Sequence, residues 1–317
     1  IQQEVLESLL EREYNFMKYK GIICAMITPF DENQNINSQA TCQLIDYLIE
    51  KGIYGLFILG TNGECHVLTD DEKVEFAKIV INHTNNRVPV FVGTGGNSTR
   101  EVVDLSKRME AIGASALSII TPYFVTPTQQ ELILHYKTIA NSVNLPIIMY
   151  NMPGKTGINI EPESVRELSK IKNIVGIKDS SGKLDNMKAY IEATKNENFS
   201  VFSGSDSLIL DSLKAGSQGA VAATTNFLTE IGISIYENFM KGDLEEAQKA
   251  QSSIEELRRI LKLGTIPSVM KKTIVLNGIN VGTARLPVTE PTGEVLEEIK
   301  RVVENYRKIL NKSSENR

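Results

Sequence analysis

Lys178 closes the short apolar run Ile174–Lys178, and Tyr150 stands near the end of the run Pro146–Asn151. In a dry environment desolvation disfavours an ammonium relative to the free amine. A free amine attacks a ketone and forms an imine. A tyrosine hydroxyl beside it shuttles protons while the carbinolamine and enamine form. A third group, Gly60-Thr61-Asn62-Gly63, has the makings of a carboxylate receptor. Its glycines let the backbone approach closely, and the Thr hydroxyl, Asn amide and backbone N–H groups supply donors to an anion.

Each has a plainer reading. A strand-end lysine solvates its tip and pairs with a carboxylate such as Asp179 or Glu64. A tyrosine fills a core with its hydroxyl bonded. A Gly/Asn-rich stretch makes a tight turn.

Other chemistries find little support. His66, His83 and His135 are scattered, and Cys65 has no base near it in sequence, so neither a metal site nor a nucleophilic triad emerges. Gly93–Gly96 is too short a signature for a phosphate cradle, and GxxxxGK[ST] is absent. The formal charge of −5 argues against a nucleic-acid partner and a polybasic membrane anchor. No apolar run reaches the ~18 residues needed to span a bilayer. Cys24, Cys42 and Cys65 lie apart without a CxxC pair, which points to a reducing, cytoplasmic setting. The stretch 1–16 reads as a charged amphipathic extension and stays outside the functional argument.

The elements that must position these groups alternate along the chain. Apolar runs predict strands at Gly21–Thr28, Gly55–Gly60, Val88–Gly93, Ala116–Thr121, Pro146–Asn151, Ile174–Lys178, Ser200–Ser203 and Ala220–Ala223. All are short, rich in Val, Ile, Leu or Phe, and bounded by Gly, Pro or Asn, as strands buried on both faces are. Between them, Thr69-Asp70-Asp71-Glu72, Asn97-Ser98-Thr99-Arg100-Glu101 and Pro127-Thr128-Gln129-Gln130-Glu131 carry helix-start signals. Eight strand–helix units over 317 residues predict an α/β fold, a (β/α)8 TIM barrel. The rival open sheet would carry a glycine-rich fingerprint after its first strand, where this chain has Thr28-Pro29-Phe30-Asp31. After Phe227 the pattern turns helical, with predicted helices at Glu230–Met240, Leu244–Leu263, Pro267–Leu276 and Gly293–Leu310. The organisation expected is an extension at 1–16, a barrel at 17–226, and a last barrel helix with a C-terminal helical region at 227–317. In such a barrel reactive groups gather at the C-terminal strand ends, which is where Lys178, Tyr150 and Thr61 fall.

Taken together, Thr28-Pro29-Phe30, Gly60-Thr61-Asn62-Gly63-Glu64, Tyr150-Asn151-Met152-Pro153 with Thr156-Gly157, Gly176-Ile177-Lys178-Asp179, Ser203-Gly204 and Arg285-Leu286-Pro287 resemble the dihydrodipicolinate synthase/N-acetylneuraminate lyase family. The resemblance runs from about Lys20 to Pro291. It implies a Schiff base on Lys178 with pyruvate or a related 2-oxo acid, and proton relay by Tyr150. It assigns the carboxylate to Thr61, Asn62 and the backbone beside Gly63, and lines the pyruvate pocket with Gly204 and Val221. It implies no metal or organic cofactor, an aldehyde as second substrate, and a homotetramer.

Two positions depart from the synthase pattern. Lys155 stands where an arginine grips the aldehyde's distal carboxylate, keeping the charge but losing the bidentate fork. Phe124 stands where a second tyrosine completes a hydroxyl relay, and the adjacent Tyr123 is aimed elsewhere by backbone alternation. With Asn62, these departures favour an aldolase of the 4-hydroxy-2-oxoglutarate or 2-keto-3-deoxy sugar-acid type. Condensation of pyruvate with aspartate semialdehyde, dehydration of a sugar acid, and non-catalytic oxo-acid binding are the alternatives.

Overall fold

The computed structural model describes residues 19–315. Eight strands, β1 (Gly21–Ala25), β2 (Gly55–Ile58), β3 (Val90–Gly93), β4 (Ala116–Ile120), β5 (Ile147–Asn151), β6 (Ile174–Asp179), β7 (Ser200–Ser203) and β8 (Gly219–Ala222), pair in sequence order. Every pairing is parallel, and β8 returns to β1, so the barrel closes. The predicted strands are all present. Four of them (β1, β2, β4 and β8) end one to three residues earlier than the apolar runs, because those runs continue into the loops at the barrel mouth. Closure removes the sheet edges, and it explains why the strands are apolar on both faces.

The helices around the barrel are α1 (Ser38–Glu50), α2 (Asp70–Thr84), α3 (Thr99–Ala111), α4 (Gln129–Ala140), the single turn α5 (Pro153–Thr156), α6 (Pro162–Leu168), α7 (Leu184–Ala193), α8 (Ile209–Lys214) and α9 (Thr229–Met240). Three of their N-termini carry the predicted caps. The Thr69 and Thr128 hydroxyls accept from the backbone N–H of Glu72 and Glu131, whose carboxylates reach back to the cap residues. Ser98 accepts from the Glu101 N–H. Each such cap is worth about 1 kcal/mol.

Alternation along the strands separates two cores. Ile22, Cys24, Leu56, Ile58 and Ile177 face the helices, whereas Ile23, Ala25, Phe57, Phe91, Ile148, Tyr150, Phe202 and Val221 fill the barrel. Since Ile177 faces out, Lys178 faces in. Tyr19 lies at the start of the barrel filling, its ring edge-on to Phe91 at 5.6 Å.

The C-terminal helical region comprises α10 (Leu244–Ser253), α11 (Glu255–Leu261), α12 (Ser268–Leu276) and α13 (Gly293–Glu315). Here the predicted single helix over Leu244–Leu263 is two. In an unbroken helix the Leu257 N–H would bond the Ser253 carbonyl. Instead the Tyr306 hydroxyl, from α13, accepts from Leu257 N–H at 3.1 Å and donates to the Ser253 carbonyl at 2.6 Å. A side chain inserted into the ladder breaks the helix at that point. Among the described residues no helix is long and apolar enough to cross a membrane. The stretch expected to be an extension, 1–16, lies outside the described residues.

Candidate active site

At the C-terminal mouth of the barrel lies a cavity of about 150 Å3. Lys178 reaches it from β6, where its register partner on β5 is Tyr150 and on β7 is Phe202. The lysine is only 5% exposed. Its Nζ rests against two aromatic rings, 4.0 Å from the centre of Tyr150 and 4.6 Å from that of Phe57. Among the described residues no carboxylate lies within 4 Å of it.

The plainer partners for this lysine are engaged elsewhere. Buried Asp179 accepts from the Asn151 amide at 2.8 Å and from the Ser181 hydroxyl at 2.7 Å. Glu64 pairs with Lys271 at 2.6 Å. An amine this buried would ordinarily hold a counter-charge, since an unpaired buried ammonium is costly. What surrounds it here is apolar, aromatic and hydroxyl-bearing.

Space for the lysine depends on Gly204. A Cβ there would lie 2.9 Å from the Lys178 Cε, 2.0 Å from the Ser180 Oγ and 3.1 Å from the Asp179 carbonyl. The Gly204 N–H donates to that same carbonyl at 2.7 Å, holding the β7 end against β6. The β5 and β6 tips are locked together in turn, with Ser180 N–H donating to the Asn151 carbonyl at 2.8 Å.

Across the cavity the Thr61 hydroxyl lies 3.3 Å from the Tyr150 hydroxyl, and Tyr150 also contacts the Met152 sulfur at 2.9 Å. A proton has a hydroxyl-to-hydroxyl path there. Thr61 and Asn62 come from the loop after β2, which is braced from behind: Thr28 donates its hydroxyl to the Gly63 carbonyl at 2.7 Å.

Of the residues singled out from the sequence, Lys178, Tyr150, Thr61, Asn62, Gly204 and Val221 line this one cavity. Gly63 is buried behind the loop and is not part of the lining. Lys155, on α5, is exposed and outside the lining. Phe124 is 95% exposed and left-handed at φ +76°, so within its own chain it does not complete the hydroxyl pair. Tyr123 turns its backbone N–H to Asn97 at 2.8 Å and its ring towards solvent.

Sequence reasoning missed Met152, Ser180 and Ala223, and above all a wall formed by Leu261, Ile266, Pro267, Val269 and Met270. Met152 and Ser180 follow Tyr150 and Lys178 by two residues, so strand alternation already aimed them at the mouth. The wall had no such signal, because its residues come from two helices, and the turn between them, that follow the barrel. None of the three cysteines lines this cavity: Cys24 is fully buried, and burial pushes its thiol up to about 12.

The model of the dihydrodipicolinate synthetase family matches residues 18–306. The chain belongs to the dihydrodipicolinate synthase/N-acetylneuraminate lyase family. Among curated relatives, the 4-hydroxy-tetrahydrodipicolinate synthase 1 of Halalkalibacterium halodurans is 37% identical over 287 residues, covering 90% of this chain and 97% of the relative. The 4-hydroxy-tetrahydrodipicolinate synthase of Syntrophus aciditrophicus is 38% identical over 288 residues, covering 91% and 98%. Among solved structures, the 4-hydroxy-tetrahydrodipicolinate synthase of Methylacidiphilum fumariolicum SolV superimposes with a TM-score of 0.89 at 32% identity, covering 94% of this chain and 99% of that one. A prophage protein of the family from E. coli K12, solved in complex with pyruvate, gives 0.87 at 32% identity over 91% and 99%. The chain is accordingly an enzyme of a pyruvate-dependent, Schiff-base-forming class I aldolase family.

Proposed function

We propose that Lys178 condenses with the carbonyl of pyruvate, losing water to form an imine, and that the derived enamine adds to the carbonyl carbon of aspartate semialdehyde. The observation that carries the imine is the burial of Lys178, without a counter-ion among the described residues, in a cavity it shares with the hydroxyl-bearing Thr61, Tyr150 and Ser180. Thr61 and Asn62 receive the pyruvate carboxylate. Tyr150, relayed through Thr61, takes and returns the protons of carbinolamine collapse and protonates the alkoxide that addition to the aldehyde leaves. The imine draws electrons from the adjacent methyl, which loses a proton. The resulting enamine attacks, and hydrolysis frees the lysine.

Aspartate semialdehyde stands first as acceptor on the names of the relatives, several of which are 4-hydroxy-tetrahydrodipicolinate synthases. A second reading rests on two observations of this chain. Phe124 brings no hydroxyl, and Lys155 is the only cation offered where the synthase pattern has arginine. On that reading the reaction is cleavage or formation of a 2-keto-3-deoxy or 4-hydroxy-2-oxo acid, with pyruvate as the released or consumed fragment.

Incubation with pyruvate, borohydride reduction, digestion and mass spectrometry tests the imine. A pyruvate-sized adduct is expected on the Lys178 peptide, and a folded protein without it would refute the proposal. Turnover of pyruvate with aspartate semialdehyde, measured against a panel of 2-keto-3-deoxy acids, then decides between the two acceptors.

A further inference from the structure

Behind the Thr61–Gly63 loop, on the side away from the cavity, lies a second set of charged groups that the proposed chemistry does not use. Glu64 follows Gly63 directly and is left-handed at φ +55°, a conformation disfavoured for a residue with a Cβ. Its carboxylate is 1% exposed. One oxygen meets Lys271 Nζ at 2.6 Å, and the other accepts the Arg285 backbone N–H at 2.9 Å. Lys271, also 1% exposed, donates to the Thr283 carbonyl at 2.8 Å and packs its ammonium 4.0 Å from the centre of the Phe30 ring. The Arg285 guanidinium stacks on the same ring at 4.6 Å and donates to the Gln34 and Val67 carbonyls.

A buried ion pair is weak evidence for stability, since desolvation of both charges offsets most of their attraction. Its placement here is the informative part. Glu64 ends the loop that offers Thr61 and Asn62 to the cavity. Lys271 follows Met270 and Val269 on α12, which form the opposite wall of the same cavity. The pair therefore spans behind the site from one wall to the other. Phe30 and the segment at 281–285 complete the brace, with Phe30 N–H donating to the Val281 carbonyl at 3.0 Å.

We propose that Glu64 and Lys271 are positioning residues for the oxo acid: their ion pair fixes the loop carrying Thr61 and Asn62 against α12, and so sets affinity for the substrate carboxylate without touching it. This rests on the imine-forming reading of Lys178. The pair also explains why a glutamate, and not a glycine, occupies the left-handed position: the carboxylate supplies the acceptor that Lys271 and the Arg285 N–H require.

The test compares Glu64→Gln, Lys271→Met and the double variant with the parent chain, by borohydride trapping across pyruvate concentrations and by thermal melting. Lys271→Met is expected to raise half-saturating pyruvate by about ten-fold or more while saturating pyruvate still marks Lys178. The double variant, which leaves no unpaired charge, is expected to recover much of the melting temperature but not the affinity. A merely structural pair would recover both together. Affinity at the parent value in the double variant would overturn the inference, as would unchanged affinity in folded Lys271→Met. Failure of the double variant to fold would also overturn it, by making the pair a folding determinant. Absence of trapping in the parent chain would instead refute the imine itself, so the two failures are distinguishable.

Discussion

On one side of the cavity stand Lys178, Tyr150, Thr61 and Gly204, each at or just past the C-terminal end of a barrel strand and tied to its neighbours by backbone and hydroxyl contacts of 2.7–3.3 Å. On the other stand Leu261, Ile266, Pro267, Val269 and Met270, apolar and carried by α11, α12 and the turn between them, which come after the barrel has closed. On the proposed reading the first side holds the groups that make and break bonds, in register with a closed ladder that leaves little freedom. The second has no group able to do chemistry. It offers shape, and shape is what an acceptor aldehyde would meet. The proposed function thus entrusts reaction and acceptor choice to different parts of the chain.

The strongest way to break that contrast is at the lysine. Lys178→Met removes the only amine among the described residues that line the cavity and is expected to abolish pyruvate trapping and turnover, while circular dichroism still reports a folded barrel. Tyr150→Phe should slow turnover by roughly 10²–10⁴-fold, the usual range for a lost acid–base group. Its slow single-turnover trapping should nevertheless mark Lys178, and fast trapping at the parent rate would show that protons travel by another route.

Changes outside the strand ends should act more gently and on the other substrate. Ile266→Ala trims a half-exposed part of the wall and is expected to alter the KM for the aldehyde by up to about ten-fold, leaving half-saturating pyruvate where it was. A shift in pyruvate affinity of the same size would erase the division between the two sides. Lys155→Arg restores the fork of the synthase pattern. It should favour aspartate semialdehyde over an uncharged aldehyde by about ten-fold in kcat/KM, from a charged hydrogen bond worth ~1.5–3 kcal/mol.

The smallest effect concerns acid sensitivity, which falls on the barrel layer. His135, on α4, shares a hydrogen bond with the Thr99 hydroxyl at 2.8 Å, and burial lowers its pKa from the ordinary 6.5 to about 4. Between those values the unfolded chain binds a proton that the folded chain does not. Stability is therefore complete above pH 6.5 and is lost as pH falls towards 4. Denaturation midpoints at pH 7.5 and 5 should show the loss, and His135→Gln should flatten that part of the slope.

The same two sides explain what the sequence made legible. Strands buried on both faces read as apolar runs, and the residue where such a run ends is placed at the mouth by the architecture itself. Lys178, Tyr150 and the Thr61 loop were found on that basis. The Thr69 and Thr128 caps were visible because a cap and its partner lie three residues apart. The wall was invisible, since Leu261 and Met270 look like any helix core until the packing of that helix is known. Lys155 and Phe124 were assigned to the site through family resemblance, and both are exposed in this chain. The Glu64–Lys271 pair joins positions far apart in the chain, and a carboxylate beside a glycine carries no mark of its partner. The break between α10 and α11 depends on a hydroxyl from α13, a contact that no local pattern encodes.

That hydroxyl has a dynamic consequence. The Leu257 amide is held by a side chain of the last helix in place of its own helical carbonyl, so its protection from solvent exchange lasts only while α13 stays docked. Hydrogen exchange at this single amide would clock the undocking of the C-terminal helix, independently of the opening of the barrel beneath it.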